Sequence, residues 1–208
     1  MVRFLLAVAA VILCLTVHEV SHGLAAWLLG DPTAKSRRRL SLNPLRHLDL
    51  MGTLMMLMVG FGWARPVPVD MRYFKRPKLG MAITALAGPM SNLILAFVAA
   101  VLYCFVYFKT LGTAELLLTL LGTVMTLSVG LGLFNLLPIP PLDGSKVLES
   151  ILPDEIYYTI LRYEWLGMLL LLLLLWSGVA EGPLTLARNN IVAFFLTVGE
   201  QMLRSLNS

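Results

Sequence analysis

Long apolar runs dominate the chain, and short polar or basic stretches separate them. An α-helix needs about 20 predominantly apolar residues to cross a bilayer. The apolar runs predict transmembrane helices over residues 2–29, 81–108, 116–137, 155–176 and 191–203, and whether the short last run crosses fully is left open. The pattern therefore predicts an all-α polytopic membrane protein, built as a bundle of about five transmembrane helices.

The composition supports a membrane protein and excludes an ordinary soluble domain. Of the 208 residues, 58% are hydrophobic and 13% are charged, and the mean hydropathy is +0.82. The length fits one integral-membrane domain over residues 1–208, with no room for a sizeable soluble domain. The net charge of +4 does not indicate nucleic-acid binding, because ten of the sixteen Lys and Arg residues lie between Lys35 and Lys78.

This cluster of basic residues predicts how the protein is oriented. Lys and Arg are enriched in the cytoplasmic loops next to transmembrane helices. We therefore expect a multi-pass protein of the cell membrane, with the basic loop 35–78 in the cytoplasm and the N-terminus outside.

Residues 51–69 form a largely apolar segment that contains several Gly and Pro residues, and its apolar run is too short to cross the bilayer as a helix. We expect a re-entrant or interfacial segment, because irregular backbone at membrane depth must lie against protein or a watery cavity. Pro66 and Pro68 exclude a central strand but allow an edge strand. A plain surface loop is the alternative.

The first predicted helix contains the sequence HEVSH at residues 18–22. A helix places His18 and His22 on one face, and Glu19 lies beside them. This is the H-E-x-x-H arrangement of zinc peptidases, in which two histidines bind the metal and the glutamate acts as general base. A chance match is the alternative. Two of the three histidines fill this spacing, however, and ionisable residues inside a membrane helix indicate a functional site.

Asp143 is the candidate third ligand. Three prolines between positions 138 and 141 end the preceding predicted helix near the inner face of the membrane, at the expected depth of His18 and His22. Catalytic zinc commonly has three protein ligands and keeps a fourth position for water. The alternative is that Asp143 caps the N-terminus of a short helix.

Asparagines are the candidates for stabilising a developing oxyanion. Asn135 and Asn92 both qualify by residue type, and Asn135 is closer in sequence to Asp143. For Asn92, a hydrogen bond between helices is the favoured alternative. His47 is expected to be a loop or interface residue rather than a ligand.

The motifs HEVSHG, LAGPMSN and NLLPIPPLDG occur in the order found in the site-2 protease family of intramembrane zinc metalloproteases, and the chain resembles the compact prokaryotic members. The resemblance implies a three-helix catalytic core that binds one zinc ion per chain. It also implies that His18, His22 and Asp143 are the ligands and that Glu19 is the catalytic base.

The resemblance extends to one further segment and has two departures. Residues 60–69 are similar to the membrane-associated β-hairpin of the family, which holds an extended substrate. Many members have Asp-Gly-Gly, whereas Ser145 follows Asp143-Gly144 here, and the sequence shows no PDZ or CBS domain.

The main functional hypothesis is a zinc metalloendopeptidase that cleaves transmembrane or membrane-adjacent segments of membrane proteins. A catalytically silent adaptor of the same fold, which binds membrane proteins, is the alternative. A metal or proton transporter is less favoured, because its polar residues would be spread along several spans. The expected partners are a membrane-protein substrate and the lipid bilayer, with no nucleic acid, and the sequence does not indicate the oligomeric state.

Overall fold

The computed structural model describes residues 1–47, 49, 51–52 and 65–206, and this part of the chain is mainly helical and contains no β-strand. Its helices are α1 (Val2–Leu28), α2 (Thr33–Ser36), α3 (Pro77–Thr110), α4 (Glu115–Asn135), α5 (Asp143–Ile151), α6 (Asp154–Arg162), α7 (Glu164–Ser177) and α8 (Glu181–Leu206). Two 3₁₀ turns lie at Pro44–Arg46 and Met71–Tyr73. The predicted all-α polytopic class is confirmed.

Helix α3 is central to the bundle and packs against α1, α4, α5 and α8. Small side chains form much of the core, including Ala10 and Cys14 of α1 and Ala99 and Ala100 of α3. Small residues let helix backbones approach closely, which favours helix association in lipid. The core therefore holds α1 and α3 side by side, which matters for the site described below.

Fewer helices in the described residues can span the membrane than the five predicted. There, α1, α3 and α4 are long and apolar enough, and α7 with α8 counts as at most one broken span, since the two helices are sufficient only together and meet at a bend of 83°. The predicted span 155–176 is divided, since α6 ends at Arg162 and α7 has only 14 residues. The predicted span 191–203 is part of the longer α8, whose charged residues include Arg188 and Glu200.

A proline-rich turn connects α4 to α5 and folds back on the end of α4. Within it, the backbone N–H of Leu142 donates to the carbonyl oxygen of Ile139 at 2.9 Å. Gly144 lies against the backbone of Leu136, where a Cβ atom would overlap the main chain. The turn therefore fixes the position of Asp143, the first residue of α5.

Residues 65–70, called the strap below, have no regular secondary structure and lie against α1. The side chain of Val67 is buried close to Gly23 of α1. The predicted re-entrant or β-hairpin-like segment 51–69 lies mostly outside the described residues. Its described end, the strap, is the part that contributes to the site.

Candidate metal centre

His18 and His22 lie one helical turn apart on α1, at its contact with α3. Their ring centroids are 4.6 Å apart, and their Nε2 atoms are 3.0 Å apart. His18 is buried and His22 is half-buried, so protein surrounds much of both rings. The structure thus has the two imidazoles on one helix face, as the spacing predicts.

Asp143 completes a group of three potential ligands. Its Oδ2 lies 3.1 Å from His18 Nε2 and 3.2 Å from His22 Nε2. The alternative prediction, a side-chain cap of α5, is wrong, because the N-cap residue is Leu142 and no side chain caps the helix start. The carboxylate of Asp143 instead points at the two imidazoles of α1.

The charge of Asp143 suits a cation. The unperturbed pKa of an Asp side chain is about 3.9, and a cation bound beside Asp143 would favour the ionised form further. Its position at the N-terminus of α5 also favours a negative charge, because the helix dipole is positive there.

The outer nitrogens of both imidazoles have partners on α3. His22 Nδ1 lies 2.7 Å from the carbonyl oxygen of Thr84, which can only accept, so Nδ1 carries the proton and Nε2 presents a lone pair. His18 Nδ1 lies 3.2 Å from Nδ2 of the fully buried Asn92, whose Oδ1 has no hydrogen-bond partner. If the side-chain amide of Asn92 is turned so that its nitrogen and oxygen change places, Oδ1 faces His18 Nδ1 and accepts a hydrogen bond from Nδ1–H. Nε2 of His18 then presents a lone pair, as Nε2 of His22 does.

The three inner atoms fit a zinc ion. In a tetrahedral site with bonds of about 2.0–2.1 Å, neighbouring ligand atoms are about 3.3 Å apart. The three separations, 3.0, 3.1 and 3.2 Å, are close to that value. Oδ2 of Asp143 is buried and has no hydrogen-bond partner. Three lone pairs that face one another in a buried site repel one another unless a cation lies between them, so the donor set and its spacing fit a metal centre.

Glu19 lies beside the ligand group, on the wall of a cavity of about 400 Å³. The cavity is lined by residues of α1, the strap, α3, the end of α4, the proline-rich turn and α5: His18, Glu19, His22, Pro66, Val67, Val69, Met81, Thr84, Ala85, Asn135, Pro141, Asp143 and Lys146. Its size is in the usual range for ligand pockets. The Glu19 carboxylate accepts a hydrogen bond at Oε2 from the backbone N–H of Val67, at 2.9 Å.

The two predicted asparagines occupy different positions. Asn135 lines the cavity, and its Nδ2 donates to the carbonyl oxygen of Leu131 at 3.0 Å, which leaves a second N–H. Asn92 contacts the outer nitrogen of His18 and is not among the described residues that line the cavity. Asn135 can therefore reach a molecule in the cavity, whereas Asn92 can act only through His18.

His47 lies outside the ligand group. It is buried at the end of the 3₁₀ turn Pro44–Arg46, and its Nε2 lies 2.7 Å from the carbonyl oxygen of Ser41. In the described part of the chain, the group that could hold a metal ion consists of His18, His22 and Asp143, and His47, predicted to be a loop or interface residue, is not part of it.

Three groups that contact the site were not predicted from the sequence. They are the carbonyl of Thr84, the backbone N–H of Val67, and Lys146. The first two are main-chain groups, which have no signature in a sequence. Lys146 had one available signal, because it follows Asp143 by three residues and lies on a nearby face of the same helix.

Comparison with known proteins finds similar sequences along almost the whole chain. The family model described as Peptidase family M50 matches residues 109–175. The protein named "Putative zinc metalloprotease YwhC" of Bacillus subtilis is 37% identical over 204 residues, which cover 94% of this chain and 93% of that protein.

More distant relatives carry a similar name. "Putative zinc metalloprotease Rip2" of Mycolicibacterium smegmatis is 29% identical over 177 residues, 83% of this chain and 67% of that protein. The protein of the same name from Mycobacterium tuberculosis strain H37Rv is 27% identical over 191 residues, 86% of this chain and 70% of that protein. No solved structure matches the chain.

Proposed function

The chain belongs to peptidase family M50, the site-2 protease family, and on that premise we propose that it is a membrane-embedded zinc endopeptidase. The family is zinc-dependent. The observation that carries the proposal is the convergence of His18 Nε2, His22 Nε2 and Asp143 Oδ2, with Glu19 beside them on the wall of one cavity.

In this proposal His18, His22 and Asp143 hold one zinc ion per chain. Zinc, when bound, supplies a Lewis acid that makes water a nucleophile at neutral pH. Thr84 and Asn92 orient the two imidazoles by binding their outer nitrogens, as the outer partners of metal-binding histidines commonly do.

Glu19 is the proposed general base. The backbone N–H of Val67 donates a hydrogen bond to Oε2 of Glu19. Oε1 is then available to take the proton of the attacking water and later to deliver it to the leaving amine. Asn135 donates its remaining amide N–H to the carbonyl oxygen of the substrate, which becomes negative during attack. Asn92 serves as a positioning residue for His18 rather than as an oxyanion donor, because it does not reach the cavity.

The proposed substrate is a membrane protein, cleaved within or next to a transmembrane segment. His18, Glu19 and His22 lie on α1, which is long and apolar enough to span the membrane, and this favours a substrate that shares the bilayer. A peptide bond in a helix is covered by the helix's own hydrogen bonds, so the segment must unwind locally before attack. Substrates with helix-weakening residues near the cut are therefore expected to be preferred.

The proposed orientation places the basic loop 35–78 and the site toward the cytoplasm, within one membrane domain over residues 1–208. The distribution of Lys and Arg supports this orientation. In a variant with Cys14→Ala and Cys104→Ala, an added Ser36→Cys should react with a membrane-impermeant maleimide in inverted vesicles but not in intact cells. Labelling in intact cells would reverse the orientation.

The central experiment measures cleavage and zinc content together. Wild type, Glu19→Gln and Asp143→Ala are reconstituted in liposomes with a library of tagged single-span substrates. We expect wild type to bind zinc and cut, Glu19→Gln to bind zinc without cutting, and Asp143→Ala to lose zinc and activity. Purified wild type that binds no zinc under metal-replete conditions would contradict the proposal and favour the adaptor.

A further inference from the structure

The strap makes a backbone hydrogen bond to the proposed base. The N–H of Val67 donates to Glu19 Oε2 at 2.9 Å. Pro66 and Pro68 flank Val67 and have no backbone N–H, so Val67 supplies the sole main-chain donor of this tripeptide. The position of one peptide group therefore determines where the Glu19 carboxylate is held.

Arg39 binds the other side of that peptide group. Its Nη2 donates to the carbonyl oxygen of Arg65 at 2.5 Å and to that of Pro66 at 3.1 Å. The Pro66 carbonyl and the Val67 N–H belong to one planar trans peptide unit, in which they point in opposite directions. Arg39 and Glu19 thus face each other across a single peptide group.

Arg39 differs from its neighbours in burial. It is 8% exposed, whereas Arg37 and Arg38 of the same run are exposed. An arginine that served only to orient the loop toward the cytoplasm would gain nothing from burial, because burying a charge costs free energy. Its Nη1 also donates to the carbonyl oxygen of Arg46, so the guanidinium is anchored at three main-chain oxygens.

The far end of the strap is anchored as well. Asp31, fully buried just after α1, accepts from the backbone N–H of Asp70 at 2.7 Å and from that of Thr33 at 2.8 Å. Two buried charged residues from the segment that follows α1 therefore hold the strap at both ends. This arrangement keeps Val67 at a constant distance from Glu19.

We infer that Arg39 is a positioning residue for Glu19 and acts through the Pro66–Val67 peptide group. The inference rests on the proposed function, which makes Glu19 the base. The guanidinium polarises the peptide group, and the polarised N–H binds the carboxylate more strongly. This hydrogen bond fixes Oε2 and leaves Oε1 free for the proton of the attacking water.

The connection from Arg39 through the Pro66–Val67 peptide group to Glu19 is called the bridge below, and two pairs of variants test it. Val67→Pro removes the N–H that reaches Glu19, whereas Val67→Ala keeps the N–H and shortens the side chain. Arg39→Gln removes the guanidinium, and Arg37→Gln is the matched control from the exposed part of the same run. For each variant, kcat and KM for a tagged single-span substrate in liposomes are measured together with the zinc content per chain.

The expected result is a change in kcat without a change in KM or zinc content. The kcat of Val67→Pro should be about ten- to a hundredfold below that of Val67→Ala, which is the effect of losing a hydrogen bond to a charged group. Arg39→Gln should show a similar loss relative to Arg37→Gln. Combining Val67→Pro with Arg39→Gln should lower kcat no further than Val67→Pro alone, because both substitutions break one bridge.

Equal kcat values for Val67→Pro and Val67→Ala, or losses that multiply in the double variant, would overturn the inference and leave the zinc endopeptidase proposal standing. If wild type cuts no substrate, the proposed function fails, and a second measurement still decides on the bridge. Solvent exchange of the Val67 amide proton, followed by NMR on isotope-labelled valine, should be slow in wild type and faster in Glu19→Ala and in Arg39→Gln. Unchanged exchange in either variant would overturn the inference.

Discussion

Gly88 of α3 faces His22 of α1 at a separation that admits no side chain. A Cβ atom on Gly88 would lie 2.5 Å from His22 Cε1 and 2.7 Å from His18 Cε1, well inside van der Waals contact. The imidazoles occupy the space that a side chain would take. Because α3 comes this close to α1, it can bring the Thr84 carbonyl and the Asn92 amide to the outer ring nitrogens.

Gly88→Ala is expected to displace both imidazoles and weaken zinc binding. His22 cannot simply move aside, because Thr84 holds its Nδ1. We expect a loss of about ten- to a hundredfold in zinc affinity, comparable to the loss of an outer partner of a metal ligand. Competition with a chromophoric chelator measures it. Gly122→Ala is the control, because a Cβ atom there has its nearest neighbour 3.8 Å away. Equal affinities in the two variants would contradict the prediction.

The parts of the site that could be predicted are those that local sequence rules place. A spacing of four puts His18 and His22 on one face of any helix. The proline-rich turn ends α4 and places Asp143 at the depth of the histidines. The family resemblance assigns the HEVSH motif and Asp143 to one site. The spans α1, α3 and α4 were predictable for a similar reason, since each contains a continuous apolar run of sufficient length.

Other features depend on tertiary packing and leave little trace in the sequence. The Val67 N–H and the Thr84 carbonyl are main-chain groups that nearly every residue has. Arg39 belongs to a run of three arginines, each of which satisfies the charge preference of a cytoplasmic loop. The predicted span 155–176 is interrupted at Tyr163, where neither Gly nor Pro marks a boundary between α6 and α7.

The amide of Asn92 should be needed as an acceptor for His18. Asn92→Leu removes the acceptor, so His18 loses the partner of its Nδ1–H, and we expect zinc affinity to fall about ten- to a hundredfold. Asn92→Asp keeps an acceptor oxygen and should bind zinc more tightly than Asn92→Leu. Chelator competition measures both affinities. Equal weakening in the two variants would show that packing, rather than the hydrogen bond, sets the role of this residue.

Lys146 is expected to stabilise the fold by neutralising Glu149. Glu149 is 1% exposed, and neither carboxylate oxygen has a hydrogen-bond partner. Lys146 Nζ lies 3.7 Å from Glu149 Oε2 and 3.5 Å from Glu164 Oε1. Lys146→Met should lower the free energy of unfolding by about 2 kcal/mol, because it leaves a buried charge without a counter-ion.

The unfolding midpoint in detergent measures the effect of Lys146→Met. Lys75→Met is the matched control, because Lys75 is exposed. Adding Glu149→Gln to Lys146→Met should restore much of the loss, since the buried charge is then removed. A double variant that is less stable than Lys146→Met alone would show that Glu149 stabilises the fold by another contact.

Removal of zinc should destabilise the wild-type protein by a defined amount. The proposed ligands come from α1 and α5, so a bound ion would tie together two helices that are distant in sequence and stabilise only the folded state. Free zinc at 100 times the dissociation constant adds about 2.7 kcal/mol, which corresponds to about 5–10 °C in the unfolding midpoint of a chain of this size. Chelation should abolish this shift in wild type and in Glu19→Gln, which keeps all three ligands. Asp143→Ala should show no zinc-dependent shift. A shift of wild-type size in Asp143→Ala would mean that zinc stabilises the protein at another place.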